Sequence, residues 1–168
     1  MSSLKAPKVI VIDDDPAVRN VIVGAFNRVG CETRWAVDGR AGVKLFNEQP
    51  AHLVVTDIVM PNQEGIETIR LLKGRERPPK VIAISGGGRR GGQDFLLWAR
   101  HLGADATLPK PFRTSELIEI ARTLLESRTA ATAASLDEDD GFRRGRFYPN
   151  ELPSRPAPGT EPFLNSRR

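Results

Sequence analysis

Four short apolar runs lie within the first two-thirds of the chain, and each leads to a polar residue. Val9-Ile10-Val11-Ile12 stops at Asp13, Asp14 and Asp15, and Leu53-Val54-Val55-Thr56 stops at Asp57. Val81-Ile82-Ala83-Ile84 stops at Ser85, and a shorter run ending at Leu108 comes just before Lys110. Apolar runs of this length without alternation mark strands covered on both faces, as in a parallel sheet. Amphipathic stretches fill the gaps. Val18, Ile22, Ala25, Phe26 and Val29 recur at helical spacing over 17–29, with Asp15 as cap and Pro16 in the first turn. Gly30 ends that helix, and a short strand follows at 32–35. Further helices are predicted over 40–48 (Ala41, Leu45 and Phe46 inward), 66–73 (Ile66, Ile69 and Leu71 or Leu72 inward) and 93–102. A last helix, capped by Thr114 or Ser115, runs to about Glu126.

The predicted strands are 8–12, 32–35, 52–56, 80–84 and 105–108, and Pro109-Lys110-Pro111 reads as a rigid turn. Residues 61–65 and 85–92 read as loops, the second with five glycines and two arginines. Strands and helices that alternate five times predict an α/β domain, a doubly wound five-stranded parallel sheet with helices on both faces. Open sheets of this kind bind ligands beyond the carboxyl ends of their strands. Asp13, Asp14, Asp57, Ser85 and Lys110 occupy such ends, so they read as one site.

Length and composition narrow the picture without changing it. A chain of 168 residues suits one domain, placed at 1–127, and an appendage, placed at 128–168. The appendage has a small-residue stretch at 129–135, the acidic block Asp137-Glu138-Asp139-Asp140, a basic aromatic cluster from Phe142 to Tyr148 and a proline-rich end. Such a segment cannot bury a core of its own and is expected to be disordered. One cysteine, Cys31, excludes an internal disulfide and reads as a structural thiol in a reducing compartment. No run reaches the length of a membrane span and the N-terminus has no signal-peptide core, so a cytoplasmic protein with no membrane partner is expected. A net charge of +4 is a weak pointer to nucleic acid.

The ordered set Asp13-Asp14-Asp15-Pro16, Asp57 with Met60-Pro61, Ser85-Gly86 and Lys110-Pro111-Phe112 resembles the receiver domain of two-component response regulators, including stand-alone chemotaxis-type receivers. The resemblance covers about residues 7–127. It implies a flavodoxin-like sheet of order 2-1-3-4-5. It also implies that Asp57 is a phosphoacceptor, and that Mg²⁺ is held by Asp13, Asp14, Asp57 and the backbone carbonyl of Val59. Ser85 and Lys110 would bind the phosphoryl group, and the Lys110–Pro111 bond would be cis. Thr107 stands where many receivers carry an aromatic switch residue, so the usual aromatic relay is not expected. The chemistry of the residues is consistent with this. Clustered carboxylates call for a hard cation such as Mg²⁺, and phosphoryl transfer needs mainly positioning and charge neutralisation.

Competing readings are weaker. The glycine-rich stretch lacks the Gly-Lys-Ser/Thr ending of a phosphate loop and follows the fourth strand, so it reads as a mobile loop next to Ser85. His52 and His101 are singletons without metal-ligand company. The expected function is a single-domain response regulator that takes a phosphoryl group from a histidine kinase or histidine phosphotransfer protein. It then changes its binding to an unknown downstream protein. No DNA-binding domain is expected, and no enzymatic turnover beyond self-phosphorylation and slow self-dephosphorylation. Alternatives are a phosphorelay shuttle and a vestigial receiver serving as a constitutive interaction module. A phosphatase is disfavoured because Val59 stands where such enzymes carry a second aspartate.

Overall fold

The computed structural model describes residues 6–60, 65–86 and 92–137; the expected tail beyond 137 and most of the two loops at 61–65 and 85–92 lie outside the described residues. Five strands alternate with five helices: β1 (Lys8–Ile12), α1 (Pro16–Arg28), β2 (Glu32–Ala36), α2 (Gly39–Glu48), β3 (Leu53–Asp57), α3 (Gly65–Lys73), β4 (Lys80–Gly86), α4 (Gly92–His101), β5 (Ala106–Lys110) and α5 (Thr114–Asp137). The strands form one sheet of order β2-β1-β3-β4-β5, and every pairing is parallel. This is the predicted doubly wound arrangement.

The alternation of side chains along each strand builds the two layers. Val9 and Val11 of β1, Leu53 and Val55 of β3, and Ile82 and Ile84 of β4 point to one face. There they meet Ile22 and Phe26 of α1 and Leu117 and Ala121 of α5. Ile10, Ile12 and Val54 point to the other face and meet Phe46 of α2 and Leu72 of α3. Val81 and Ala83 extend this face toward Ile69 of α3 and Ala99 of α4. All of these residues are buried, so the three central strands carry a core on both sides.

Several boundaries differ from the sequence reading. β4 and β5 run further than expected: Ser85 pairs with Pro109 and Gly86 with Lys110. The stretch read as a rigid turn is therefore the last part of a strand. Pro109 is tolerated there because β5 is an edge strand, where a missing N–H need not break a ladder on both sides. Ser85 and Lys110 accordingly lie within the last two residues of their strands, held in register, and not in the segments beyond. α5 begins at Thr114 itself, with the Leu117 amide donating to the Arg113 carbonyl. It continues to Asp137, well past Glu126, because the alanine-rich stretch that looked like the start of the tail is a good helix former. Gly30, at φ 81°, ends α1 in a backbone conformation that side chains disfavour. No helix among the described residues is long and apolar enough to cross a membrane.

At the end of the sheet opposite the strands' carboxyl termini, Asp105 joins three elements. Its carboxylate accepts the Val81 amide at 2.8 Å and pairs with Lys73 of α3 and Lys80 of β4. Burial alone would raise its pKa, but the Lys73 bond, the Val81 amide and Lys80 outweigh burial and hold it below the ordinary 3.8. The ionised form is thus the one the fold favours. Its contribution is complete above the unfolded value and is lost as pH falls through the lower folded value. Asp105→Ala is expected to cost about 1–3 kcal/mol at neutral pH, the penalty of stranding a buried amide. The deficit should shrink once the pH falls below the ordinary carboxylate range. Urea unfolding of both proteins at neutral and acid pH checks this; a deficit independent of pH would exclude the charged role of Asp105.

Candidate functional site

The carboxyl ends of β1, β3, β4 and β5 bring the predicted polar residues together. Asp57 is the last residue of β3, the central strand, and is 7% exposed. Asp13 follows β1 and is 1% exposed, whereas Asp14 is open to solvent. One carboxylate oxygen from each of the three lies within 4.8 Å of the others.

Every oxygen of the two buried carboxylates has a donor. Asp13 Oδ1 accepts the Asp15 amide at 2.9 Å, and Asp57 Oδ1 accepts the Val59 amide at 3.0 Å. Lys110 Nζ bridges the remaining oxygens, 3.0 Å from Asp13 Oδ2 and 2.5 Å from Asp57 Oδ2. Lys110 can do this because its place in β5, opposite Gly86, aims its stem across the end of β4; its Cδ would lie 3.8 Å from a Cβ at Gly86. Burial works to lower the Lys110 pKa, but the bonds to Asp57 and Asp13 prevail and raise it, so the ammonium stays charged. Burial raises the Asp13 pKa, and the bonds from Lys110 and the Asp15 amide only partly offset that. The site is thus poor in positive charge. Among the described residues the three carboxylates have one ammonium between them, paired with Asp13 and Asp57, which leaves a formal deficit of positive charge.

That deficit, and the donor set, fit a hard divalent cation. Carboxylate oxygens within a few ångströms, one of them exposed to water, suit Mg²⁺, which takes oxygen ligands and keeps several waters. Asp13, Asp14 and Asp57 are the residues able to hold it. Val59 is 57% exposed, and its amide, rather than a side-chain group, already engages Asp57.

Ser85 is buried at 1% exposure, and its Oγ has no hydrogen-bond partner among the described residues. A buried hydroxyl left unpaired costs about 1–3 kcal/mol. It sits one residue beyond Ile84, which is the β4 partner of Asp57. Thr107 lies three residues before Lys110 on β5, and its hydroxyl accepts from Arg100 Nε of α4 at 3.0 Å. The Lys110–Pro111 peptide is cis.

Two contributors escaped the sequence reading. Gly65 begins α3, and a Cβ there would fall 2.0 Å from the Asp57 carbonyl oxygen, so only glycine allows the helix to pass this close behind the aspartate. Arg19 is 8% exposed and donates Nη1 to the Asp13 carbonyl at 2.8 Å. Its spacing was a usable signal: it lies three residues before Ile22 and seven before Phe26, on the buried stripe of α1 where a charge is out of place.

Residues 9–122 match the response regulator receiver domain family. The DNA-binding transcriptional regulator NtrC of Azospirillum brasilense is 30% identical over 137 residues, which is 80% of this chain and 27% of that protein. The transcriptional regulatory protein PrrA of Mycobacterium leprae is also 30% identical over 137 residues, 82% of this chain and 57% of that protein. The chain therefore spans from about a quarter to just over half of these two relatives. Among solved structures, the receiver domain of the Francisella response regulator 1452 superposes with a TM-score of 0.66 at 30% identity, covering 73% of this chain and 98% of that one. With the family matched over most of its length and the fold shared with a solved receiver, this chain belongs to the response regulator receiver family of two-component signalling systems.

Proposed function

We propose that Asp57 accepts a phosphoryl group from the phosphohistidine of a histidine kinase or phosphotransfer protein, and that the phosphorylated domain then binds a downstream protein differently. The observation that carries this reading is the pairing of Asp57 with an unspent donor. Lys110 and the Val59 amide already engage the carboxylate, while the buried Ser85 hydroxyl nearby has no acceptor. A phosphoryl group on Asp57 would bring three strong acceptor oxygens into that space.

In the transfer, the phosphorus–nitrogen bond to the donor imidazole breaks and a bond from an Asp57 oxygen to phosphorus forms. Lys110 exchanges its bond to the Asp57 carboxylate for one to the phosphoryl oxygens and holds their charge. Ser85 donates its O–H to a second oxygen, and the exposed Val59 beside Asp57 marks the open side from which the donor would approach. Mg²⁺, held by Asp13, Asp14, Asp57 and the Val59 carbonyl, would neutralise charge as it spreads over the transferred group. The protein turns over no separate substrate in this reading. It acts in the cytoplasm, where Cys31 stays reduced.

Asp57→Asn is expected to abolish labelling by a phosphodonor, read on a phosphate-affinity gel; undiminished labelling sinks the proposal. Ser85→Ala should keep the fold, since it removes only an unpaired hydroxyl, and slow phosphoryl transfer by about 10- to 100-fold, the loss of one charge-assisted hydrogen bond. Val59, exposed beside Asp57, offers no polar side chain to guide a hydrolytic water. Val59→Asn is therefore expected to speed loss of the phosphate, measured as the decay of the labelled band. An unchanged decay would refute that role for the position.

A further inference from the structure

Arg19 is a buried cation without a carboxylate of its own. Among the described residues it forms no ion pair, and its Nε has no hydrogen-bond partner. Burying a charge in this way is costly, so what the guanidinium does touch matters. One contact is the bond from Nη1 to the Asp13 carbonyl. The other is the Trp35 indole, whose ring centre lies 4.6 Å from the guanidinium carbon. The exposures are inverted from the usual arrangement: the arginine is 8% exposed and the tryptophan 52%. Trp35 thus covers the cation from the solvent side, and a desolvated cation over an indole face is the favourable case of this interaction.

The same two residues tie the turn that carries Asp13 to the edge strand. Trp35 is registered against Val11 and Ala36 against Ile12, and the Ala36 carbonyl accepts the Asp13 amide at 3.3 Å. Asp13 is then fixed at its amide by β2, at its carbonyl by α1, and at its carboxylate by the Asp15 amide and Lys110. Removing the Arg19 bond would free the one of these points that sets how far the peptide after Asp13 can rotate. That peptide leads directly to Asp14, the exposed member of the acidic trio. Arginine suits the role and lysine does not: its planar, weakly hydrated fork can stack on the indole while one arm holds the carbonyl.

We infer that Arg19, clamped under Trp35, is a positioning residue for the divalent-cation site, holding Asp13 and Asp14 in the spacing that the cation needs. The inference rests on the reading of that site given above. Two substitutions test it without altering the charge near the cation: Arg19→Lys, which loses the fork, and Trp35→Leu, which loses the cover. Mg²⁺ affinity is measured by calorimetry and, where Trp35 is kept, by its fluorescence in a Trp98→Phe background. Each substitution is expected to weaken Mg²⁺ binding by about tenfold, the scale of losing a group that orients a metal ligand. Trp35 emission should change with a midpoint equal to the calorimetric affinity. Should Arg19→Lys fail to fold, Trp35→Leu at a half-exposed position carries the test. Lower melting temperatures with unchanged Mg²⁺ affinity would show a merely structural role and overturn the inference. Absence of Mg²⁺ binding by the unsubstituted protein would overturn the reading of the site itself, and this inference with it.

Discussion

The bridge from Lys110 to both Asp13 and Asp57 is the interaction on which the site depends. Two carboxylates, each under a tenth exposed, sit at the ends of adjacent strands. Without a shared cation their repulsion and desolvation would oppose the burial that the apolar strands provide. Lys110 resolves this from the far side of the sheet, across the end of β4, and so links β1, β3 and β5 at one point. The link is also incomplete, since one ammonium cannot balance three acids. A site short of positive charge is suited to a divalent cation, which would also offset the negative charge of a group added at Asp57.

The surroundings serve that arrangement by restricting motion. Gly65 lets α3 pass close behind Asp57, Asp15 caps α1 while its amide steadies Asp13, and Val59 gives its amide to Asp57. Among the described residues around Asp57, Ser85 keeps a buried hydroxyl without a partner and Asp14 an exposed carboxylate. Both are where a ligand could use them. The Arg100–Thr107 bond is an exposed polar contact between α4 and β5, at the position where the aromatic relay was not expected.

Most of the fold was legible because the central strands are buried on both faces, and such strands announce themselves as unbroken apolar runs. The polar residues that end those runs were legible for the same reason. The sequence placed Ser85 in a loop and Lys110 in a turn just beyond their strands, the latter because proline at 109 looks like a terminator; only the pairing of β5 with β4 reveals an edge strand that accepts it. Arg19 was hidden by the opposite error, since an arginine on a helix is ordinarily a solvated residue and its burial depends on Trp35 arriving from a different strand. Gly65 was read as part of a loop, because nothing local to it reveals the Asp57 carbonyl two ångströms from where a side chain would begin.

The length of α5 has a geometric consequence. The helix starts at Thr114, beside the site, and runs back along the sheet until Arg128 reaches the carbonyls of His52 and Pro78 at the opposite pole. At about 1.5 Å per residue, its remaining turns to Asp137 carry the backbone on the order of 13 Å past that anchor. The helix therefore ends, at Asp137, at the pole of the sheet opposite Asp57. A small tilt of α5 about its contacts with the sheet, begun beside Asp57, would act as a lever and be magnified at Asp137.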